Sequence, residues 1–86
     1  MKLNKNFIRH VSGDESLLAA TADADFSGVL RGNSTTGMIL ELLEYNVERD
    51  DIVAELRTRF EAPEGVIEKD VDKVLDQLRK IGALDE

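Results

Sequence analysis

The sequence predicts a small α+β domain of winged-helix-like type, a three-stranded antiparallel sheet followed by three helices. Three observations predict it. The first third holds short runs rich in β-branched and aromatic residues, separated by glycine and polar turns. The remainder shows apolar residues recurring at spacings of three and four. With 86 residues there is room for one domain, spanning 1–86, with strands over about 7–31, helices over about 34–82 and a thin core.

The first strand is expected at Phe7-Ile8-Arg9-His10-Val11. Gly13-Asp14 is a turn signal, and Ser16-Leu17-Leu18-Ala19-Ala20-Thr21 reads as the returning strand. After a polar loop from Thr21 to Asp25, Phe26-Ser27-Gly28-Val29-Leu30-Arg31 reads as the third. None of these runs is joined to the next by the helix a parallel crossover needs, so an antiparallel meander is the simplest connection.

Ser34 is expected to cap the first helix, whose apolar face holds Ile39, Leu40, Leu42 and Leu43 and fades at Tyr45-Asn46. A second helix begins near Asp50-Asp51, acids suited to the positive end of the helix dipole, and buries Ile52, Val53, Leu56 and Phe60. Pro63 follows that helix and precedes the third, where a missing N–H is tolerated at the first turn. That helix carries one stripe of Ile67, Val71, Val74, Leu75, Leu78 and Ile81, and Gly82 stops it. Asp76 and Lys80 are correctly ordered for an i,i+4 ion pair. The three helices together resemble a helix-turn-helix core with the strands as its wing.

Composition removes several classes of function. The chain has no cysteine, which excludes disulfides, thiolate metal sites and cysteine nucleophiles. The opening MKLNKNFIRHV lacks the apolar core of a signal peptide, and no run approaches the ~18 apolar residues of a membrane span. A cytoplasmic location is expected, and Asn33-Ser34-Thr35 is then an incidental glycosylation sequon. Net charge is −7, and it is uneven: Lys2, Lys5 and Arg9 precede any acid, so the rest of the chain is strongly negative. Such a body repels nucleic acid and anionic membrane and suits a neutral or basic partner.

Catalytic and metal chemistry finds little to stand on. His10 is the sole histidine and reads as a half-exposed strand residue without a nucleophile or orienting group. No serine lies in a nucleophile elbow. Asp23-Ala24-Asp25-Phe26-Ser27-Gly28 matches the opening of a calcium loop, but position twelve is Ser34 where a bidentate glutamate belongs. Gly28 and Gly32 meet neither phosphate-loop spacing, and are expected to permit tight backbone geometry or close approach of another chain. The third helix opens with Glu64, Glu68, Lys69, Asp70, Asp72 and Lys73, too acidic for a DNA-reading face. No cofactor, no metal and no catalytic residue is expected.

The order of motifs carries more information than any one of them. Asp25-Phe26-Ser27-Gly28-Val29-Leu30-Arg31-Gly32-Asn33-Ser34-Thr35-Thr36-Gly37, then Ile39-Leu40-Glu41-Leu42-Leu43, resembles the PqqD-like family, small proteins similar to the pyrroloquinoline-quinone biosynthesis protein D. Ile52-Val53 with Leu56 and Phe60 is similar to that family's second helix. Asp70-Val71, and Leu75 and Leu78 before Gly82, is similar to its third. The resemblance runs from Phe7 to Leu84. Ser34 departs from it by replacing an acidic residue. Gly32 stands where a large apolar residue is usual, and is expected to loosen the end of the third strand.

The resemblance implies a non-catalytic recognition element for ribosomally made precursor peptides. It would bind the leader segment as a strand beside the third strand, against the third helix, and present it to a modifying enzyme such as a radical S-adenosylmethionine maturase. The residues implied for peptide binding are Val29, Leu30, Arg31, Gly32, Asp70, Lys73, Val74 and Gln77. A free sheet edge supports this in kind, because strand addition draws affinity from main-chain hydrogen bonds. A proline at Leu30 is then expected to abolish docking by removing a ladder donor. The alternatives are a general protein-interaction or scaffold domain and a DNA-binding winged-helix regulator.

Overall fold

The computed structural model describes residues 1–13, 15–21 and 28–86. In chain order these form β1 (Lys2–Leu3), β2 (Phe7–Ser12), β3 (Glu15–Ala20), β4 (Val29–Gly32), α1 (Ser34–Leu42), α2 (Arg49–Arg59), α3 (Val66–Lys80) and β5 (Leu84–Asp85). The antiparallel sheet β2-β3-β4 followed by three helices is the α+β architecture read from the sequence. The turn at Gly13 works because its φ is +61°, a value hairpin turns require and L side chains resist. Asp14, Phe26, Ser27 and the calcium-loop positions 23–27 lie outside the described residues.

The sheet presents one face to the helices. Phe7 and Leu18 are buried on it, and the core continues through Ile39, Leu40 and Leu43 of α1 and its end, Ile52, Val53 and Leu56 of α2, and Ile67, Val71, Val74, Leu75 and Leu78 of α3. The opposite face carries the cross-strand row Ile8–Ala19–Val29, with Ile8 and Val29 exposed. Helix α1 comes very close to the sheet at Gly37, where an added Cβ would collide with the buried Ser16 side chain.

Several local details differ from the sequence reading. The cap of α1 is Asn33, not Ser34: its Oδ1 accepts from the Thr36 N–H at 3.0 Å. Asn33 holds the extended backbone a cap needs, and its amide oxygen reaches the third helical residue. Phe60 ends α2 in extended conformation and is only half-buried against the core. Pro63 precedes α3, and its carbonyl accepts from the Val66 N–H at 3.2 Å, while Gly65 at φ +86° caps the helix. Gly82 stops α3 as expected. At φ +74° its N–H bonds the Arg79 carbonyl, and the Ala83 N–H bonds that of Leu78, which is a Schellman closure.

A second small ribbon had no signal in the sequence. β1 pairs with β5, Lys2 opposite Asp85 and Leu3 opposite Leu84. The Leu3 N–H donates to the Leu43 carbonyl at 2.8 Å and the Asn4 N–H to that of Ala83 at 2.7 Å. The chain's first residues are thereby tied across the ends of α1 and α3.

Candidate functional site

β4 is an edge of the three-stranded sheet, and the register decides which of its backbone groups are free. In an antiparallel ladder, alternate residues turn both N–H and C=O toward the same neighbour. The Ala20 N–H bonds the Gly28 carbonyl at 3.3 Å, and Ser16 lies opposite Gly32, with Leu18 opposite Leu30. Gly28, Leu30 and Gly32 therefore face β3. The other side of β3 agrees. The Thr21 N–H bonds the Asn6 carbonyl at 2.8 Å, leaving the odd residues of β3 to pair with β2. Val29 and Arg31 are left with their N–H and C=O groups directed away from the sheet. This corrects the expectation at Leu30, whose N–H belongs to the internal ladder and not to the open edge.

Beside this edge runs a groove of about 300 Å³ between the end of β4, the first turn of α1 and α3. Six of the residues singled out from the sequence line it together: Arg31, Gly32, Asp70, Lys73, Val74 and Gln77. Val29 and Leu30 do not line it. Val29 projects from the outer sheet face, and Leu30 lies half-buried against the core. On α3, Asp70, Lys73, Val74 and Gln77 recur at spacings of three and four, which places them on one side of the helix. Val74 is 7% exposed, so it forms the groove's floor more than a wall.

Sequence reasoning missed Asn33, Thr35 and Thr36, which complete the lining. They are the turn and first helical residues directly after β4, so continuity with that strand was the available signal. Gly32 does not loosen β4, which stays paired through it to Ser16. It is glycine because the Thr36 side chain occupies the space a Cβ would need.

The charges around the groove differ in how they are satisfied. Among the described residues Arg31 has one distant partner, Glu15, at 3.9 Å. Asp72, further round α3, is held by Arg49 of α2 through two bonds, 2.6 and 3.1 Å. That hydrogen bonding lowers the Asp72 pKa below the usual carboxylate value and raises that of Arg49. Asp76 pairs with Arg79 at 3.2 Å in place of the expected Lys80. The same guanidinium holds Glu86 at 2.9 Å, lowering its pKa. Arginine outcompetes lysine here because its planar fork reaches both carboxylates at once. Among the described residues no cluster of three or more His, Cys, Asp or Glu is placed to hold a metal, and no helix is long and apolar enough to cross a membrane.

Residues 17–84 match the family model for coenzyme PQQ synthesis protein D (PqqD). The chain belongs to the PqqD family. The matched span contains β4, all three helices and every residue of the groove. A search of curated proteins finds no match. Among solved structures, this PqqD-family chain is similar to TbiB1 in complex with the TbiA(beta) leader peptide, with a TM-score of 0.81 at 19% identity, over 99% of this chain and 95% of that one. At that identity the likeness concerns the fold. The fold shared with that structure thus extends over residues before position 17, including β2, which the sequence family model does not reach.

Proposed function

We propose that this chain binds the leader segment of a ribosomally synthesised precursor peptide and performs no chemistry on it. The segment adds as a strand along β4, taking hydrogen bonds from Val29 and Arg31, and lays alternate side chains into the groove against Asp70, Lys73, Val74 and Gln77. The observation that carries the reading is the juxtaposition of a short open edge with a groove on the same side. Main-chain pairing supplies affinity there, and the groove reads side chains. Membership of the PqqD family supports it, as does the leader peptide in the complex of the similarly folded TbiB1.

A binding module of this kind presents its peptide to a separate modifying enzyme, for which we propose a radical S-adenosylmethionine maturase, in the cytoplasm where the precursor is made. The acidic body of the chain favours this over DNA binding, because duplex recognition draws its affinity from cations that displace counterions. The test is calorimetric titration with leader peptides encoded beside the gene. The expected outcome is a dissociation constant between nanomolar and micromolar, about −12 to −8 kcal/mol, lost on scrambling the peptide. Equal binding of native and scrambled peptides would overturn specific recognition.

A further inference from the structure

The exposed side of α3 is electrostatically lopsided in a way its sequence conceals. Three of its four acids are occupied, Asp72 by Arg49, Asp76 by Arg79 and Glu68 by Arg57, which leaves Asp70. Lys69, Lys73 and Lys80 make no ion pair or side-chain hydrogen bond among the described residues, and all three are exposed. At 3.6 residues per turn these positions fall within about 40° of one another, so they form one stripe along the helix. The groove continues round α3 into a shallow depression lined by Lys69, Lys73, Gln77 and Lys80 together with the two neutralised aspartates. Lys73 and Gln77 belong to both. The groove reaches Arg31 at the end of β4, whose side chain shares the outer sheet face with Val29 and lies toward Glu15, and Asp70 is the single acid in the groove's lining.

We propose that the peptide taken up along β4 is acidic on the side facing α3, with glutamate or aspartate side chains set against Lys73 in the groove and against Lys69 and Lys80 beside it. This rests on the reading of β4 as a peptide-docking edge and names the class of peptide that edge accepts. The local excess of cations stands out against a chain of net charge −7. An acidic segment is repelled by most of the surface and attracted at this stripe, which orients it during encounter. The spacing also fits. Lys69 and Lys73 are about 6 Å apart along the helix axis, and same-face residues of a strand recur about every 6.6 Å, so two alternate carboxylates meet this pair of cations. Each exposed pair is weak and screened by salt, so preference arises from several acting together.

The test uses the full chain and three capped synthetic peptides in which valine and threonine alternate with glutamate, glutamine or lysine, titrated at low and at physiological salt. The glutamate peptide is expected to bind about tenfold more tightly than the glutamine one, the gap narrowing with salt. The Lys69→Gln/Lys80→Gln variant, both positions outside the groove, is expected to lose part of that preference while keeping its circular dichroism and its affinity for the glutamine peptide. Equal binding of all three peptides would overturn the charge inference and leave the docking edge standing. Binding of none would overturn the docking edge and the inference with it. Tighter binding of the lysine peptide, or of a single-stranded oligonucleotide, would assign the stripe to another ligand and overturn the proposal.

Discussion

Thr36 stands where any side chain on Gly32 would have to go: a Cβ built on Gly32 collides with Cβ and Cγ2 of Thr36. Thr36 cannot move aside cheaply, since its N–H and hydroxyl both donate to Asn33 Oδ1, at 3.0 and 3.2 Å. The end of β4, the helix cap and the groove wall are thereby one unit. Gly32→Ala is expected to cost about 1–3 kcal/mol through overpacking. Because the collision involves Thr36 Cβ, Thr36→Ser should give no relief, whereas Thr36→Gly in the double variant should recover part of the loss. Urea unfolding of the four proteins checks this, and a neutral Gly32→Ala would mean that α1 is not held against β4.

Proline scanning separates the open edge from the internal ladder. Val29→Pro removes an N–H directed away from the sheet, which an edge strand tolerates. It should leave the unfolding midpoint nearly unchanged and weaken leader binding about three- to tenfold, the worth of one hydrogen bond. Leu30→Pro deletes a donor to Leu18 inside the sheet and should destabilise the fold itself. Calorimetry with parallel denaturation curves distinguishes them. The opposite pattern would place the added strand in a different register.

Asp72 gives a pH dependence with a defined sign. Its folded pKa is lowered below the ordinary value of 3.8 by the bonds from Arg49. A depressed folded pKa means stability that is present above the unfolded pKa and lost as pH falls through the folded one. Asp72→Asn is therefore expected to lower the thermal midpoint slightly at neutral pH. Wild type and variant should converge below the usual carboxylate range. An undiminished gap in acid would assign the effect to packing and not to charge.

Leu18 joins the sheet to all that lies beneath it. It sits at the centre of β3, fully buried, with Arg9 and Leu30 opposite it on either side. Leu18→Ala is expected to cost about 2–5 kcal/mol, a large share of the stability of so short a chain. Chemical denaturation measures it, and a cost under about 1 kcal/mol would mean that the site collapses around the smaller side chain.

By itself the sequence determined the order of sheet and helices, because a period of two in the strands and of three to four in the helices is written into neighbouring residues. The Ile67–Leu78 stripe and the stop at Gly82 were legible for that reason, and so was the grouping of Asp70, Lys73 and Gln77 on one side of a helix. The β1–β5 ribbon was not, since two-residue strands at opposite ends of the chain carry no period and form only when the helices bring them together. The choice of Asn33 over Ser34 as cap, and of Arg79 over Lys80 as the partner of Asp76, turned on which side chain had the reach and geometry at one place. Only the tertiary structure decided that Val29 and Arg31, not Leu30, offer the open edge, because hydrogen-bond direction follows from cross-strand register. Only it left Lys69, Lys73 and Lys80 without partners among the described residues, because the arginines that hold Glu68, Asp72 and Asp76 come in part from another helix and are chosen by distance in space.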